Sequence, residues 1–170
     1  MSRIFHPIPP FFDASSRVLI LGSFPSVASR EAGFFYGHPR NRFFRVLAAL
    51  FGAPLPQSTE EKRALLRAHG IALWDVIADC EIEGSLDSAI RSPRPNDITP
   101  ILDAAGILAI FVNGKTAKRY YDRYLLPLVG RPAVCLPSTS PANAAFGEDE
   151  LIAAWEPVRT AVSAKDESSQ

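Results

Sequence analysis

Cysteine is scarce in this chain of 170 residues, which contains only Cys80 and Cys135. Two cysteines far apart in the sequence provide neither a disulfide framework nor the close spacing of a structural zinc site. The N-terminal segment MSRIFHPIPPFFDASS lacks the apolar stretch and the small-residue cleavage site of a secretory signal. We therefore expect a cytoplasmic protein in which both thiols are reduced and buried.

Long apolar runs and an excess of charge are also absent. No run approaches the roughly 20 residues that a membrane-spanning helix needs, so we expect no association with a membrane. Hydrophobic residues make up 47% and charged residues 21% of the chain, which is typical of one globular domain. We expect that domain to span residues 1–162 and the polar segment 163–170 to be a disordered tail. Because the formal net charge is +0, binding to nucleic acid would depend on a local basic patch.

An unusual cluster of rings occurs in FFYGHPRNRFF, residues 34–44, together with a histidine, two arginines and an asparagine. Apolar spacing continues from Phe43 to Phe51 and predicts a helix in which Phe43 and Phe44 are core residues. Rings 34–36 precede that helix in a loop and are candidates for stacking on a flat ligand. The arginines of this segment, and a second basic cluster on the chain, can bind phosphates, although solvated helix faces would explain the same charges. The second cluster consists of Lys115, Lys118, Arg119 and Arg123.

Apolar segments alternate with helical patterns along the chain. Four of them predict strands, at residues 18–21, 71–77, 107–112 and 133–136. This alternation predicts a three-layer α/β/α sandwich around a central, mainly parallel four-stranded sheet. Ligands bind beyond the carboxyl ends of such strands, and the polar turns GSFPS, NGK and PSTSPAN each follow a predicted strand. We therefore expect these turns to meet at one edge of the sheet.

Several familiar catalytic motifs are missing. The NGKT sequence lacks the upstream glycine of a phosphate-binding P-loop, because Ala109 stands at that position. No G-x-S-x-G elbow surrounds a serine of the polar turns, and His38 has no evident acidic partner. The carboxylates form no pair at a predicted strand end, and the three histidines show no metal-ligand spacing. These patterns argue against a serine hydrolase, a sugar glycosidase and a metal site.

Four segments together resemble the uracil-DNA glycosylase superfamily, and in particular its hypoxanthine-DNA glycosylase branch. They are LGSFPS, FFYGHPRNRFF, FVNGKTA and LPSTSPANA, which occur in order over about residues 15–160. The resemblance implies a DNA repair enzyme that flips a deaminated base, preferentially hypoxanthine, out of the duplex and hydrolyses its N-glycosidic bond, leaving an abasic site. It also implies double-stranded DNA as the partner, a monomer and no cofactor. Relatives with an iron–sulfur cluster carry four cysteines, whereas this chain has two.

The resemblance assigns catalysis to Asn41. Many relatives have an Asp or Asn in the first motif and a His at the start of the second, but GSFPS has neither and Leu136 replaces the His. The hypoxanthine branch is expected to rely on the Asn of HPRN, whose amide can orient water and donate to the departing base. The alternative is that Asn41 only caps the helix that follows it.

The other predicted contacts carry open alternatives. The base pocket is predicted to contain Gly22, Ser23, Phe24, Pro25, Tyr36 and Asn113, although GSFPS and Asn-Gly could be plain turns. Contacts to DNA phosphates are predicted for His38, Arg40, Arg42, Lys115, Ser138, Thr139 and Ser140, although both arginines could simply be solvent-exposed. The SPANA segment could wedge into the gap left by the flipped nucleotide.

Two other functions stay open at this point. One is a uracil or thymine-mismatch glycosylase, and the other is a DNA-binding module of the same fold without catalysis. The lack of a conspicuous pocket lysine favours simple hydrolysis over lyase chemistry, with Lys115 as the one candidate against that view.

Overall fold

The structure is a computed structural model that describes residues 3–164. Its strands are β1 (Arg3–Phe5), β2 (Val18–Gly22), β3 (Ile71–Asp75), β4 (Ile77–Glu81), β5 (Arg91–Pro95), β6 (Ala109–Asn113) and β7 (Val134–Leu136). Its α-helices are α1 (Val27–Ala32), α2 (Phe43–Phe51), α3 (Thr59–Ala68), α4 (Thr99–Ala104), α5 (Lys115–Tyr120), α6 (Leu126–Val129), α7 (Glu148–Ala154) and α8 (Glu156–Ser163). A π-helical segment (Tyr121–Leu125) joins α5 to α6.

The central sheet is parallel throughout, with strand order β3-β2-β6-β7. Strand β2 is buried on both faces, because Val18 and Ile20 pack into one core cluster while Leu19 and Leu21 pack into the other. Residues of α2, α3, α7 and α8 belong to the first cluster, and residues of α4 and α5 belong to the second. Burial on both faces explains why the strand sequence is continuously apolar. The predicted three-layer α/β/α sandwich is confirmed.

A second sheet, which the sequence did not predict, begins where β3 ends. The predicted strand 71–77 is two strands, because the chain bends at Val76 and β4 pairs with β1 and β5 in an antiparallel sheet of order β1-β4-β5. Asn96 stabilises the bend by donating its side-chain amide to the carbonyls of Asp75 (2.9 Å) and Ile77 (3.2 Å). The bend leaves Asp75 as the last residue of β3 at the edge of the central sheet.

The helix ends follow local chemistry. Ser58 Oγ accepts from the Glu61 amide (3.1 Å) at the start of α3, and Asp97 Oδ1 accepts from the Thr99 amide (3.0 Å) at the start of α4. Helices α7 and α8 follow each other directly, and Pro157 lies in the first turn of α8, where its missing N–H interrupts the helical ladder. Of the predicted tail, Ser163 ends α8 and Ala164 follows it, whereas residues 165–170 lie outside the described residues.

One sequence-based prediction about the thiols is wrong. Cys80 is buried, but Cys135 is exposed because it lies on β7, the edge strand of the central sheet. Within residues 3–164, no helix has both the length and the apolar character needed to cross a membrane.

Candidate functional site

The carboxyl ends of the central strands open into a cavity of about 1280 Å³. All three polar turns line it, as the strand pattern predicted, because parallel strands end at the same edge of a sheet. The predicted site residues that line the cavity are Gly22, Ser23, Phe24, Pro25, Tyr36, His38, Arg40, Asn41, Asn113, Lys115, Ser138, Thr139 and Ser140. Arg42 is the one member of the predicted set that is not among the lining residues.

Asn41 lies in the turn that leads into α2. Its Oδ1 accepts from the Phe43 amide (2.9 Å), so the side chain satisfies a backbone donor in the first turn of α2 as a cap does, although Arg42 occupies the N-cap position. Its own amide donates to the His38 carbonyl (3.0 Å), which holds the turn closed. Within residues 3–164, Asn41 Nδ2 makes no hydrogen bond, so a free donor remains on a side chain that lines the cavity. Capping and a role in the site are therefore compatible.

Hydrogen bonds of Arg42 and Thr139 hold in place the loop that forms one wall of the cavity. The Arg42 guanidinium donates to the carbonyls of Asn143 (2.9 Å) and Phe146 (2.5 Å), and the Arg42 amide donates to the Thr139 carbonyl (3.1 Å). Thr139 is fully buried and exchanges two hydrogen bonds with Asn113, at 2.9 Å and 3.0 Å. These bonds join α2, β6 and the loop after β7. The phosphate contacts predicted for Arg42 and Thr139 stay predictions, and the observed bonds give both residues a positioning role.

The predicted stacking surface is only partly present. Phe34 (4% exposed) packs edge-on against Phe11 in the core, so the suggestion that it stacks on a ligand is wrong. Phe35 lines the cavity but is only 2% exposed. The Tyr36 ring stacks on Phe43 with centroids 4.0 Å apart and is half-buried at the cavity. Phe24, also half-buried, is the other ring of the predicted pocket that a ligand could contact.

A buried polar pair joins Asp75, which lines the cavity, to His6, which is not among the lining residues. His6 Nε2 and Asp75 Oδ2 are 2.7 Å apart, and the two side chains are only 3% and 6% exposed. Asp75 is paired in the sheet with Gly22, and a Cβ on Gly22 would overlap Asp75 Oδ1. Because glycine has no Cβ, position 22 leaves room for the Asp75 carboxylate. Burial, with the Asp75 charge as the second cause, raises the pKa of Tyr36 well above its ordinary value.

The comparisons with known proteins agree with this geometry. A family model described as the uracil DNA glycosylase superfamily matches residues 9–159. The chain belongs to this superfamily. It is similar to two proteins named hypoxanthine DNA glycosylase. The one from Methanosarcina barkeri is 33% identical over 79% of this chain and 85% of that protein. The one from Methanosarcina acetivorans is 34% identical over 88% of this chain and 94% of that protein.

A solved structure supports the same assignment for the fold. It is an NMR structure of a Methanosarcina acetivorans protein provisionally assigned as a uracil DNA glycosylase. It superposes with a TM-score of 0.74 at 32% identity, over 89% of this chain and 96% of that one. The superfamily fold expected from the motifs is therefore present over most of the chain.

In this member of the superfamily, the cations are located at the rim of the cavity and the buried carboxylate at its floor. Arg40, Lys115 and Arg119 are exposed and line the cavity, so they give its rim a local positive charge. Asp87 also lines the cavity but accepts from Ser23 Oγ (2.6 Å). Among residues 3–164, no three His, Cys, Asp or Glu side chains are grouped so that they could hold a metal ion.

Sequence reasoning missed His6 and Asp75 as site residues. Asp75 is the last residue of a buried strand, and the rule that placed Gly22 and Asn113 at the sheet edge could have placed it there as well. The error came from extending that strand to residue 77. His6 precedes every predicted element, so the sequence carries no signal that it contacts the site.

Proposed function

We propose that this protein is a monofunctional DNA glycosylase that removes hypoxanthine from double-stranded DNA and leaves an abasic site. It would act as a monomer in the cytoplasm. The observation that supports this most directly is Asn41, held by its helix cap at the wall of a cavity that has cations at its rim. The names of the two Methanosarcina relatives support hypoxanthine as the base.

The geometry favours one of the two roles that an amide can have here. One lone pair of Asn41 Oδ1 is used by the Phe43 amide, whereas the Nδ2 donor has no partner among residues 3–164, so the donor role is the one we favour. In hydrolysis, water attacks C1′, the C1′–N9 bond breaks and its electron pair leaves with the base, the attacking water loses a proton, and the departed base takes one up. A preorganised donor aimed at the base stabilises the charge that develops there. The N-terminus of α2 next to Asn41 acts in the same direction.

The activity is tested by incubating the protein with end-labelled duplexes that contain inosine, xanthine, uracil or no lesion. Alkali-dependent cleavage that is fastest with inosine is the expected result. Cleavage that is fastest with uracil would assign the protein to the uracil or mismatch enzymes, a possibility favoured by the provisional assignment of the NMR structure. Binding without any cleavage would leave an inactive DNA-binding module.

We expect affinity for undamaged duplex to fall steeply as salt is added, even though the formal net charge is +0. The local cations at the rim would release counterions from the phosphates they neutralise, and roughly 0.9 counterion is released per phosphate contact. Fluorescence anisotropy between about 50 and 200 mM salt measures how steeply the logarithm of the affinity falls with the logarithm of the salt concentration. A flat response over that range would argue against DNA as the partner.

Two neighbouring arginines should give opposite results. Arg40→Ala should leave the melting temperature unchanged, because the side chain is exposed. It should reduce the slope of log affinity against log salt concentration by about one, because one phosphate contact is lost. Arg42→Ala should lower the free energy of unfolding by about 2 kcal/mol, because the carbonyls of Asn143 and Phe146 lose their donor. Thermal melts and duplex titrations of both variants provide the comparison. An unchanged melting temperature for Arg42→Ala would argue against its positioning role.

A further inference from the structure

Two oxygens at the cavity floor flank the same point. Asp75 Oδ1 and the Tyr36 hydroxyl both lie next to the position that a Cβ on Gly22 would occupy, and the hydroxyl is 3.4 Å from it. Both residues line the cavity. A nucleotide that enters this cavity enters base first, because its phosphates remain with the duplex outside. The floor therefore meets the edge of the base that is farthest from the sugar.

The bonds of His6 fix Asp75 as a hydrogen-bond acceptor. The Ile8 amide donates to His6 Nδ1 (3.2 Å), so the ring proton is on Nε2 and is donated to Asp75 Oδ2. This contact holds one carboxylate oxygen and leaves Oδ1 beside Gly22. Because Oδ2 is held by His6, Oδ1 is the oxygen of Asp75 that is left to accept from a ligand.

Tyr36 supplies the complementary donor. Its hydroxyl is buried, and within residues 3–164 no atom completes a well-aligned hydrogen bond with it, although the Asn113 amide lies close enough to affect its pKa. The pKa of Tyr36 is raised by burial, so the hydroxyl keeps its proton. The residue has a left-handed backbone conformation (φ +54°), which costs free energy for a side chain of this size. An unsatisfied hydroxyl held by a strained backbone is expected where a ligand completes its bonding.

We propose that Asp75 and Tyr36, with His6 as a positioning residue, form the site that recognises the lactam edge of a deaminated purine. Asp75 Oδ1 accepts from the ring N1–H of hypoxanthine, and the Tyr36 hydroxyl donates to the neighbouring O6. This inference rests on the proposed function and adds the basis of its selectivity.

The pair would reject adenine. Deamination converts N1 of adenine, an acceptor, into an N–H donor, and it replaces the 6-amino group with a carbonyl oxygen. Opposite Asp75, adenine would place its N1 lone pair against a carboxylate oxygen, and both acceptors would stay unsatisfied. A site built to bond a polar group discriminates strongly against an analogue that lacks it.

Asp75→Asn provides the decisive test. The asparagine must present its Oδ1 to His6 Nε2–H, so its amide NH2 replaces the acceptor that faces the base. We would measure affinity for duplexes whose target nucleotide carries a 2′-fluorine, which makes the glycosidic bond resistant to hydrolysis. One duplex carries hypoxanthine, and the other carries unsubstituted purine, which has no O6 and has an acceptor at N1.

Wild-type protein should prefer the hypoxanthine duplex, and Asp75→Asn should reduce that preference roughly 100-fold or reverse it, with little change in melting temperature. Tyr36→Phe should weaken binding of the hypoxanthine duplex about 10-fold and leave the melting temperature unchanged, because the hydroxyl has no partner within the fold. Equal weakening of both duplexes by Asp75→Asn would overturn the proposal and indicate a structural or water-orienting role. Because binding is measured without cleavage, failure of the proposed function would instead appear as wild-type protein that excises no inosine.

Discussion

Asn41→Ala should lower the single-turnover rate of inosine excision by roughly 10² to 10³, the effect of removing one preorganised donor. The affinity for the duplex should change little, because the exposed cations at the rim are untouched. The same substitution removes the acceptor for the Phe43 amide, so the free energy of unfolding should also fall by about 1 kcal/mol. Excision of labelled inosine duplex and a thermal melt measure the two effects.

Two further variants separate catalysis from stability. Asn41→Asp keeps an oxygen for the Phe43 amide but loses the Nδ2 donor, so it should melt like wild-type protein and excise slowly. Ser58→Ala removes the equivalent cap from α3, where Ser58 Oγ accepts from the Glu61 amide, and Ser58 is not among the residues that line the cavity. It should lose similar stability and excise normally. Near-normal excision by Asn41→Ala at a lower melting temperature would reduce Asn41 to a cap and move attention to Asn113.

The sequence predicts the sheet well because burial on both faces leaves a strong signal. Strand β2 needs apolar side chains at consecutive positions, and the break at Gly22 marks the point where the chain leaves the core. Once parallel strands were assigned, the position of the site followed, since all the carboxyl ends lie at one edge. The bend at Val76 left no such signal, because Ile77 is as apolar as the strand before it and Asn96 comes from a distant segment.

The roles of individual polar residues depend on partners that are far away in the sequence. Arg42 resembles Arg40 as a cation beside Asn41, yet its guanidinium bonds to carbonyls more than 90 residues away. The His6–Asp75 pair joins residues 69 positions apart. Local patterns describe which groups a segment offers, whereas long-range hydrogen bonds determine which of those groups remain free for a ligand.

Trp155→Ala should lower the free energy of unfolding by about 3–5 kcal/mol, the usual range for removing a large buried ring. Trp155 is 0% exposed, and its ring packs edge-on against Phe43 with centroids 5.7 Å apart. Phe43 in turn carries the stacked Tyr36 ring, so this loss of packing reaches the site. Urea denaturation measures the change. Leu128→Ala, at a side chain 77% exposed, is the control and should stay within about 0.5 kcal/mol of wild-type protein.

Trp155→Phe isolates the polar contribution of the same residue. Trp155 Nε1 donates to the Pro137 carbonyl (2.9 Å), directly before the Ser138–Ser140 turn at the cavity. A phenylalanine keeps most of the packing but leaves that carbonyl without its donor, which should cost about 1–3 kcal/mol. Amide hydrogen exchange should then accelerate at Thr139, whose amide donates to Asn113 Oδ1, and at Ser140, whose amide donates to Ser138 Oγ. Unchanged exchange at those two amides, together with a wild-type melting temperature, would mean that α2, β6 and the Arg42 contacts hold the loop without Trp155.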